Sequence, residues 1–442
     1  MSHHDFIKHS LGIKDQDLEL IENTFRQEVR NGRICDFISA KLTHKPDYCR
    51  NCGVVAVDGK EINVIGNGTL KTYPRLPKNS NGYDMRLELH KPRFFCKCCN
   101  HTFQLENSLV KPFCSITNSL KFRILHDATK KRSETEIAYD NHVSHSTVNR
   151  FINDSFEDRK LDFNYLPTTM CFDEFKSTKH AEGSMSFIYL DPEKQKILDI
   201  VEDRRLTNLK QYFMRFTIEA RLSVKYIVID MYEPYVQLIQ SCFPKAQIVC
   251  DKFHIVQHIN RALNQTRITA MKRNQDHQKK FKRYWKLILM DSSRLNSADY
   301  RFFFCFKGLK SQTAVVDFIV DLYPELRATY DYYQRLLYAI DKKKQALLTS
   351  LLKQPPEGIS EKMDTARKSL LKFLPAVLTC LETTLSNGQL EGTINQIKVI
   401  KRIAFGYRCF YHFKARILLI HDHNPLKLKR SLNQKRKEKK PA

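Results

Sequence analysis

Residues 224–250 read VKYIVIDMYEPYVQLIQSCFPKAQIVC, and this stretch decides the fold class. Tyr226–Ile229 is a run of β-branched and aromatic residues, which favours a strand covered on both faces, and Glu233–Cys242 is amphipathic. A strand followed by a helix predicts an α/β unit. Asp230 ends the strand, at the edge where such sheets place their chemistry. The alternative is that Asp230 only caps the following helix.

Two further acids stand in segments that can converge with Asp230. Asp173 interrupts the short apolar run MCFDEF at residues 170–175. Glu391 lies on a helical pattern in SNGQLEGTINQIKVI, residues 386–400. The alternative for Glu391, which precedes several lysines and arginines, is a local ion pair.

The elements predicted between residues 165 and 255 follow the order of a ribonuclease-H-like sheet: three antiparallel strands, a helix, a strand, a helix and a strand. In that order the first and fourth strands lie side by side, so we expect Asp173 and Asp230 to be neighbours. The remaining predicted elements are strands at 185–190, 197–201 and 247–250 and a helix at 208–221.

Neighbouring carboxylates favour a divalent cation, because two like charges a few Å apart are costly without a counter-ion. Mg²⁺ and Mn²⁺ take oxygen ligands. With Asp173, Asp230 and Glu391 together, such a site can hold two ions about 3.5–4 Å apart, one activating a nucleophile and one stabilising the leaving oxygen.

Composition limits the class of partner. The 442 residues include 74 Lys and Arg against 48 Asp and Glu, a formal charge of +26 with a pI near 9.5, which predicts nucleic acid as the partner. No secretory signal and no transmembrane segment is recognisable, so we expect a cytoplasmic protein without a membrane partner. Most of the thirteen cysteines are scattered singly, which favours reduced thiols.

Two CxxC pairs predict a zinc ribbon. Cys49 and Cys52 form the first pair and Cys96 and Cys99 the second, separated by a 43-residue spacer. Each pair can offer two thiolates to one tetrahedral Zn²⁺. Cys98 lies inside the second pair and leaves open which two sulfurs bind; Cys96 and Cys99 are favoured. The alternative is a set of redox or packing cysteines.

The pattern between residues 115 and 153 predicts a helix-turn-helix, with a short helix, a tight connection and a second helix that opens near Ser144. A three-helix bundle without a DNA role gives a similar pattern. The zinc ribbon and the basic charge favour the DNA-binding interpretation. The residues expected at the exposed start of the recognition helix are His145, Ser146, Thr147, Asn149 and Arg150.

The predicted organisation is that of a multidomain α+β protein. A helical insertion interrupts the ribonuclease-H-like core, and Tyr284 and Trp285 on its basic run are candidates for base stacking. The alternative for this run is a solvated helix with its aromatic residues in the core. The predicted segments are a helical lead (1–44), the zinc ribbon (45–110), the helix-turn-helix (111–158), the core's first part (165–255), the helical insertion (256–385), the core's last part with Glu391 (386–424) and a basic disordered tail (425–442).

The sequence resembles DDE transposases of bacterial insertion sequences, in the zinc-ribbon and helix-turn-helix subgroup called the ISL-three family. The resemblance covers nearly the whole chain. Besides the cysteine pairs, it is carried by CFDEF, VIDMYEPY, CDKFHIVQHIN and the long motif SNGQLEGTINQIKVIKRIAFGYRCFYHFKARI. Cys409 and His412 depart from the pattern, because asparagines are more usual there, and this puts a DNA contact in doubt.

The resemblance implies a catalytic triad of Asp173, Asp230 and Glu391, and it matches Asp251 and His254 to an accessory signature after the second acid. It further implies a homodimer that binds the terminal inverted repeats of its element and target DNA. We therefore expect a metal-dependent enzyme of DNA transposition. The alternative is a non-catalytic DNA-binding regulator derived from a transposase.

Overall fold

The computed structural model describes residues 8, 13, 15, 17–30, 32–59, 61–105, 107–157 and 159–422. The chain divides into two compact units, one made of residues 1–160 and 399–442 and the other of residues 161–398. The predicted basic tail, 425–442, lies outside the described residues. None of the described helices is both long and apolar enough to cross a membrane.

The first unit begins with a seven-stranded sheet, and a small two-stranded sheet accompanies it. The strands are β1 (Leu18–Leu20), β2 (Arg26–Arg30), β3 (Arg33–Leu42), β4 (Val57–Asp58), β5 (Glu61–Ile62), β6 (Val64–Thr72), β7 (Arg75–Leu76), β8 (Asp84–Cys96) and β9 (Thr102–Gln104). The order β1-β3-β8-β6 forms the main path, with β2 on β3 and with β7 and β9 on β8, while β4 pairs with β5.

The prediction of a helical lead is wrong, because residues 18–42 form three strands. Leu18 and Leu20 are buried while Glu19 between them is exposed, and this alternation is the period of a strand. Strand β3 then pairs with β8 in parallel, so the lead and the predicted ribbon share one sheet. Residue 44 is therefore not a structural boundary.

The first unit also holds a helical bundle. Its helices are α1 (Asn118–Ala128), α2 (Glu134–Asp140), α3 (His145–Glu157) and, from the end of the chain, α16 (Phe410–Asp422). Thr117 and Ser133 cap α1 and α2 by accepting hydrogen bonds from backbone amides in the first turn. The predicted helix, turn and helix are present as α2 and α3.

Helix α16 packs on α3 through Ala415 and Leu419, which join the buried core that Leu120, Ile137 and Val148 help to form. The predicted assignment of 386–424 as one piece of the core is therefore wrong for its second half. Apolar side chains on α16 fill the bundle, a packing partner that the sequence order does not reveal.

The second unit is built on a five-stranded sheet. Its elements are β10 (Thr169–Lys176), β11 (Met185–Asp191), β12 (Lys196–Val201), α4 (Leu206–Phe213), α5 (Ile218–Leu222), β13 (Tyr226–Ile229), α6 (Glu233–Cys242) and β14 (Gln247–Cys250). The strand order is β12-β11-β10-β13-β14, and β10 pairs in parallel with β13. The predicted adjacency of the first and fourth strands is confirmed, whereas the predicted helix at 208–221 is two helices.

The predicted insertion is mostly helical, as expected, with one small hairpin. Its elements are α7 (Lys252–Arg273), α8 (Gln278–Arg283), α9 (Trp285–Ile288), a 3₁₀ turn (Ser292–Arg294), β15 (Arg301–Phe302), β16 (Leu309–Lys310), α10 (Gln312–Val320), α11 (Pro324–Asp341), α12 (Gln345–Lys353), α13 (Glu361–Lys372) and α14 (Leu374–Glu382). Helix α15 (Gly388–Ile403) then carries Glu391. Tyr284 is buried and donates a hydrogen bond to the carbonyl of Phe304, so it does not offer a stacking face.

Candidate active site and cysteine cluster

The pairing of β10 with β13 sets the positions of Asp173 and Asp230. Cys171 is the register partner of Val228 in this parallel pair. Asp173 follows Cys171 by two residues, and Asp230 follows Val228 by two residues. The two aspartates therefore lie at the same level and on the same face of the sheet. Since neighbouring strands are about 4.8 Å apart, the two carboxylates come from adjacent backbones.

Successive side chains of β10 point to opposite faces of the sheet, one towards the hydrophobic core and one towards the candidate site. Phe172 is fully buried and its ring packs against Phe213, Phe243 and Tyr235, at centroid distances of 5.7, 6.2 and 6.4 Å. Asp173, the next residue, points to the opposite face of the sheet. The aromatic core therefore fixes the strand that presents Asp173.

Both aspartates have raised pKa values. Burial, followed by the charge of Asp230, raises the pKa of Asp173 to about 7. Burial, followed by the charges of Asp251, Glu174 and Glu391, raises the pKa of Asp230 to about 7. Each carboxylate is thus costly to ionise without a cation, which is the state that a divalent metal relieves.

Asp230 has one oxygen available for a cation. Its Oδ1 atom is buried and receives no hydrogen bond from the described residues, although His254 Nε2 lies 3.1 Å away at ion-pair distance. A buried carboxylate oxygen without a hydrogen-bond donor is unusual. Together with Asp173 it offers the hard oxygen ligands that Mg²⁺ or Mn²⁺ prefers, so the residues fit a divalent ion.

Glu391 is exposed on the first turn of α15. Its charge contributes to the raised pKa of Asp230, so it acts on the same site. The three acids nevertheless do not form a tight ligand group: within the described part of the chain, only four cysteines have ligand atoms that all lie within 4.8 Å of one another. The strand register pairs the two aspartates, and Glu391 influences Asp230 from the first turn of a separate helix.

A brace of hydrogen bonds holds the start of α15 against the sheet. The amide of Asn387 donates to Asp251 Oδ1 at 3.1 Å, and its side-chain Nδ2 donates to the carbonyl of Phe172 at 3.1 Å. Asn387 and Asp251 are both buried. Asp251, predicted as an accessory residue, therefore acts through the backbone at Asn387, and the brace joins the residue before Asp173 to the helix of Glu391.

Asn387 was not identified from the sequence, and neither were Glu174 and its partners beside the site. Glu174 forms an ion pair with Arg204 and accepts a hydrogen bond of 3.1 Å from the hydroxyl of Tyr235. An Asn directly before a predicted helix signals a cap and could have drawn attention to Asn387. The partner of Glu174 lies thirty positions away and has no local signal.

The cysteine cluster brings together Cys49, Cys52, Cys96 and Cys99. The Cys49 and Cys99 sulfurs are 3.7 Å apart, as are those of Cys52 and Cys96. A tetrahedron of sulfurs around Zn²⁺ at about 2.3 Å has edges of about 3.8 Å, so the four thiols fit this ion. Cys98 is exposed and lies 3.6 Å from Asn63 Oδ1, outside the cluster.

The knuckles that present these sulfurs are shaped by the backbone. The amide of Asn51 lies 3.4 Å from Cys49 Sγ, and Gly53, with φ of +75°, closes the first knuckle through a hydrogen bond to the carbonyl of Cys49. A hydrogen bond from Asn51, together with neighbouring thiols, lowers the pKa of Cys99 to about 6. The pKa of Cys52 in the same cluster is raised to about 12, so the thiols share their protons unequally.

The predicted recognition residues lie along the start of α3. His145, Ser146 and Arg150 are exposed, while Thr147 and Asn149 are half-buried. His412, whose identity raised doubt about a DNA contact, is buried in the bundle. Its Nε2 atom lies 2.9 Å from both carboxylate oxygens of Glu134, and its Nδ1 lies 2.8 Å from Asn153 Oδ1. Its role is therefore to join α16 to α2 and α3.

Comparison with known proteins gives two relatives that match over part of their length. The chain is 39% identical over 116 residues to an "ATP-dependent protease" of Lactococcus lactis subsp. lactis, covering 26% of this chain and 36% of that protein. It is 26% identical over 253 residues to the "Transposase for insertion sequence element IS1001" of Bordetella parapertussis, covering 56% and 59%. The sequence contains no Gly-x₄-Gly-Lys-Ser/Thr phosphate-binding motif.

A protein-family model also matches the chain. The family model described as a transposase, of the DDE type named after ISL3, matches residues 170–417. This range is more than half of the chain and includes Asp173, Asp230 and Glu391. The chain therefore belongs to the ISL3 family of DDE transposases.

Proposed function

We propose that this chain cuts the ends of a mobile DNA element and joins them to target DNA, using two Mg²⁺ or Mn²⁺ ions held by Asp173, Asp230 and Glu391. The observation that carries the proposal is the pair of carboxylates that follow the matched residues of two adjacent parallel strands, each with its pKa raised to about 7. The sheet order supports a ribonuclease-H-like core around them.

The bound ions would activate a water or 3′-hydroxyl nucleophile and stabilise the leaving oxygen of the phosphodiester. The chain's own residues hold and orient the ligands. The aromatic packing of Phe172 fixes β10, and the brace through Asn387 and Asp251 fixes the start of the helix that carries Glu391. His254 Nε2 lies 3.1 Å from Asp230 Oδ1, beside the position where a cation would bind.

Recognition of the element ends falls to the first unit. We assign base contacts to His145, Ser146, Thr147, Asn149 and Arg150, and we assign to the zinc ribbon a supporting role on the phosphate backbone. The net charge of +26 favours binding to DNA through counter-ion release. Joining both ends of one element requires two bound ends, for which a homodimer is the simplest assembly.

The test is loss of cleavage without loss of folding. Asp173→Asn, Asp230→Asn and Glu391→Gln each remove a charge with little change in shape. Since the ligands of a two-metal site act as a unit, each change alone should lower the rate of DNA cleavage by roughly 10³-fold or more. The assay uses duplex DNA from the borders of the gene, with Mg²⁺ or Mn²⁺.

Glu219→Gln is the matched control, because Glu219 is an exposed acid on α5 of the same unit. This variant should cleave at the parental rate, and all four proteins should bind border DNA equally. An Asp230→Asn protein that still cleaves would contradict the proposal. Border DNA that is bound but never cut by the parent would instead favour a DNA-binding regulator.

A further inference from the structure

The turn after α15 exposes a phenylalanine in a strained backbone conformation. The Phe405 side chain is 98% exposed and its φ is +54°, a region that bulky L residues rarely adopt. The amide of Gly406 donates to the carbonyl of Lys401, and the amide of Phe405 donates to that of Arg402. This is the helix-ending motif in which glycine usually occupies the position of Phe405.

Folding alone does not account for this side chain. Glycine or asparagine would relieve the backbone strain, and a polar residue would avoid exposing a ring to water. The turn is nevertheless anchored, because the ring of Tyr407 stacks on that of Phe413 with centroids 4.7 Å apart. Tyr407 therefore holds the turn to the bundle while the Phe405 side chain stays exposed.

The chemistry around Phe405 selects a polyanionic partner. The 30 residues between Glu391 and Asp422 contain no acid and six Lys or Arg residues. Arg402 and Arg408, on either side of Phe405, are both exposed. An exposed aromatic ring between cations is the combination that binds unpaired nucleic acid, because the cations contact phosphate and the ring stacks on a base.

The turn also shares a cavity with the predicted recognition helix. The cavity has a volume of about 890 Å³ and is lined by Phe405 and Arg408 together with His145 and Asn149 of α3. Two acids, Glu134 and Glu136, line it as well. His412 lies at hydrogen-bond distance from Glu134, and Arg132 forms an ion pair with Glu136. Each of the two carboxylates in the cavity therefore has a partner within the protein.

We propose that Phe405 stacks on an unpaired base where the DNA duplex opens, beside the recognition helix. The inference rests on the proposed DNA-cleaving function, since it places a base-stacking group next to the helix that would bind the element ends. The ligand is a nucleobase freed from pairing. A duplex without unpaired bases should not engage the ring, because its base faces are already stacked.

The experiment compares a duplex carrying two unpaired bases at one end with a fully paired duplex of the same sequence. One unpaired base is 2-aminopurine, whose fluorescence falls when an aromatic ring stacks on it. The full-length protein should bind the forked duplex more tightly and quench its fluorescence. Phe405→Gly should weaken binding of the forked duplex by roughly 5- to 150-fold, the value of one stacked base, and leave binding of the paired duplex unchanged.

Two further variants control for folding and for aromaticity. Phe405→Trp should keep both the preference and the quenching. Phe113→Gly is the matched control, because Phe113 is equally exposed and has a φ of +59° but lies elsewhere in the first unit. It should bind both duplexes as the parent does. The melting temperature of Phe405→Gly should equal or exceed that of the parent, since glycine relieves the positive φ.

The outcomes separate this inference from the proposed function. A Phe405→Gly protein that retains the forked-duplex preference and the quenching overturns the stacking role, as does an equal loss in Phe113→Gly. Neither result depends on cleavage, so the proposed activity would stand. Loss of quenching only in Phe405→Gly supports the inference even where the acid variants fail to behave as a metal site.

Discussion

The two candidate metal sites differ in how far the protein assembles them in advance. The sulfurs of Cys49, Cys52, Cys96 and Cys99 all lie within 4.8 Å of one another. Among the carboxylates, Asp173 and Asp230 are paired by strand register, but Glu391 stands exposed on a separate helix. The cysteine cluster is a complete group of four close ligands, whereas the three acids do not form a group of this closeness among the described residues.

The electrostatics of the two sites also differ. Within the cysteine cluster the pKa values diverge, because the surroundings lower that of Cys99 to about 6 and raise that of Cys52 to about 12. At the acidic site burial raises the pKa values of Asp173 and Asp230 to about 7, away from the charged form that binds metal. Each site therefore contains ligands whose deprotonation a bound cation would promote.

The largest effect should follow removal of a zinc ligand. Cys49→Ser or a strong chelator should release the ion and unfold the strands around the cluster. Structural zinc contributes on the order of 10 kcal/mol to folding in small domains, so the melting temperature of the first unit should fall sharply. Bound zinc measured by mass spectrometry, beside the melting curve, checks this prediction.

Cys98→Ser is the control, because Cys98 Sγ lies outside the cluster. This variant should retain zinc and melt with the parent. A parent protein purified without zinc, or a Cys49→Ser protein of parental stability, would show that the cluster is a set of packing thiols.

The next effect concerns pH. Because the pKa values of Asp173 and Asp230 are raised to about 7 in the folded state, folding takes up protons between about pH 4 and pH 7. Their contribution to the free energy of unfolding of the metal-free protein should therefore fall as the pH rises through this range. Mg²⁺ should restore stability above about pH 7 and have little effect near pH 5, where protons compete with it.

Melting curves of the parent and of Asp230→Asn, with and without Mg²⁺ across this range, test the sign. The variant should be less sensitive to both pH and Mg²⁺, and at about pH 8 without metal it should be at least as stable as the parent. If Asp230 only capped helix α6, the substitution would instead cost about 0.5–2 kcal/mol and Mg²⁺ would make no difference.

The smallest effect should come from the brace at Asn387. Asn387→Ala removes the donor to the buried carbonyl of Phe172 and should cost about 1–3 kcal/mol of folding free energy. Because Glu391 then begins on a looser helix, the cleavage rate should fall while DNA binding stays unchanged. The Mg²⁺ concentration for half-maximal activity should rise, a readout that general destabilisation would not change.

Asn395→Ala serves as the control, since Asn395 is exposed on the same helix. It should leave rate, stability and Mg²⁺ dependence as in the parent. An unchanged Mg²⁺ requirement in Asn387→Ala would mean that the brace supports the fold without positioning Glu391.

The sequence predicted the structure best where the residues of a single strand or helix determine that element by themselves. The run Tyr226–Ile229 and the amphipathic Glu233–Cys242 have the bounds that were predicted, because β-branched residues and helical spacing are local properties. The adjacency of Asp173 and Asp230 was also predictable, since it follows from strand order. The CxxC spacing similarly predicted the four sulfurs that the fold brings together.

The errors arose where distant segments decide the structure. Leu18 and Leu20 were assigned to a helix, but their sheet partner β3 selects the strand. Helix α16 was assigned to the core, but Ala415 and Leu419 fill the bundle of the first unit. The bonds from Asn387 reach residues 215 and 136 positions away, and no local pattern encodes such contacts.

The packing of α16 on α3 has a consequence for the newly synthesised chain. The bundle that holds α3, the predicted recognition helix, lacks a core element until Phe410–Asp422 leaves the ribosome. Roughly 250 residues separate the two helices, which at about 5–20 residues per second corresponds to roughly 10–50 s of translation. A nascent or prematurely terminated chain therefore lacks a packing partner of α3, and under the proposed function shortened copies of the gene should be poor competitors for DNA.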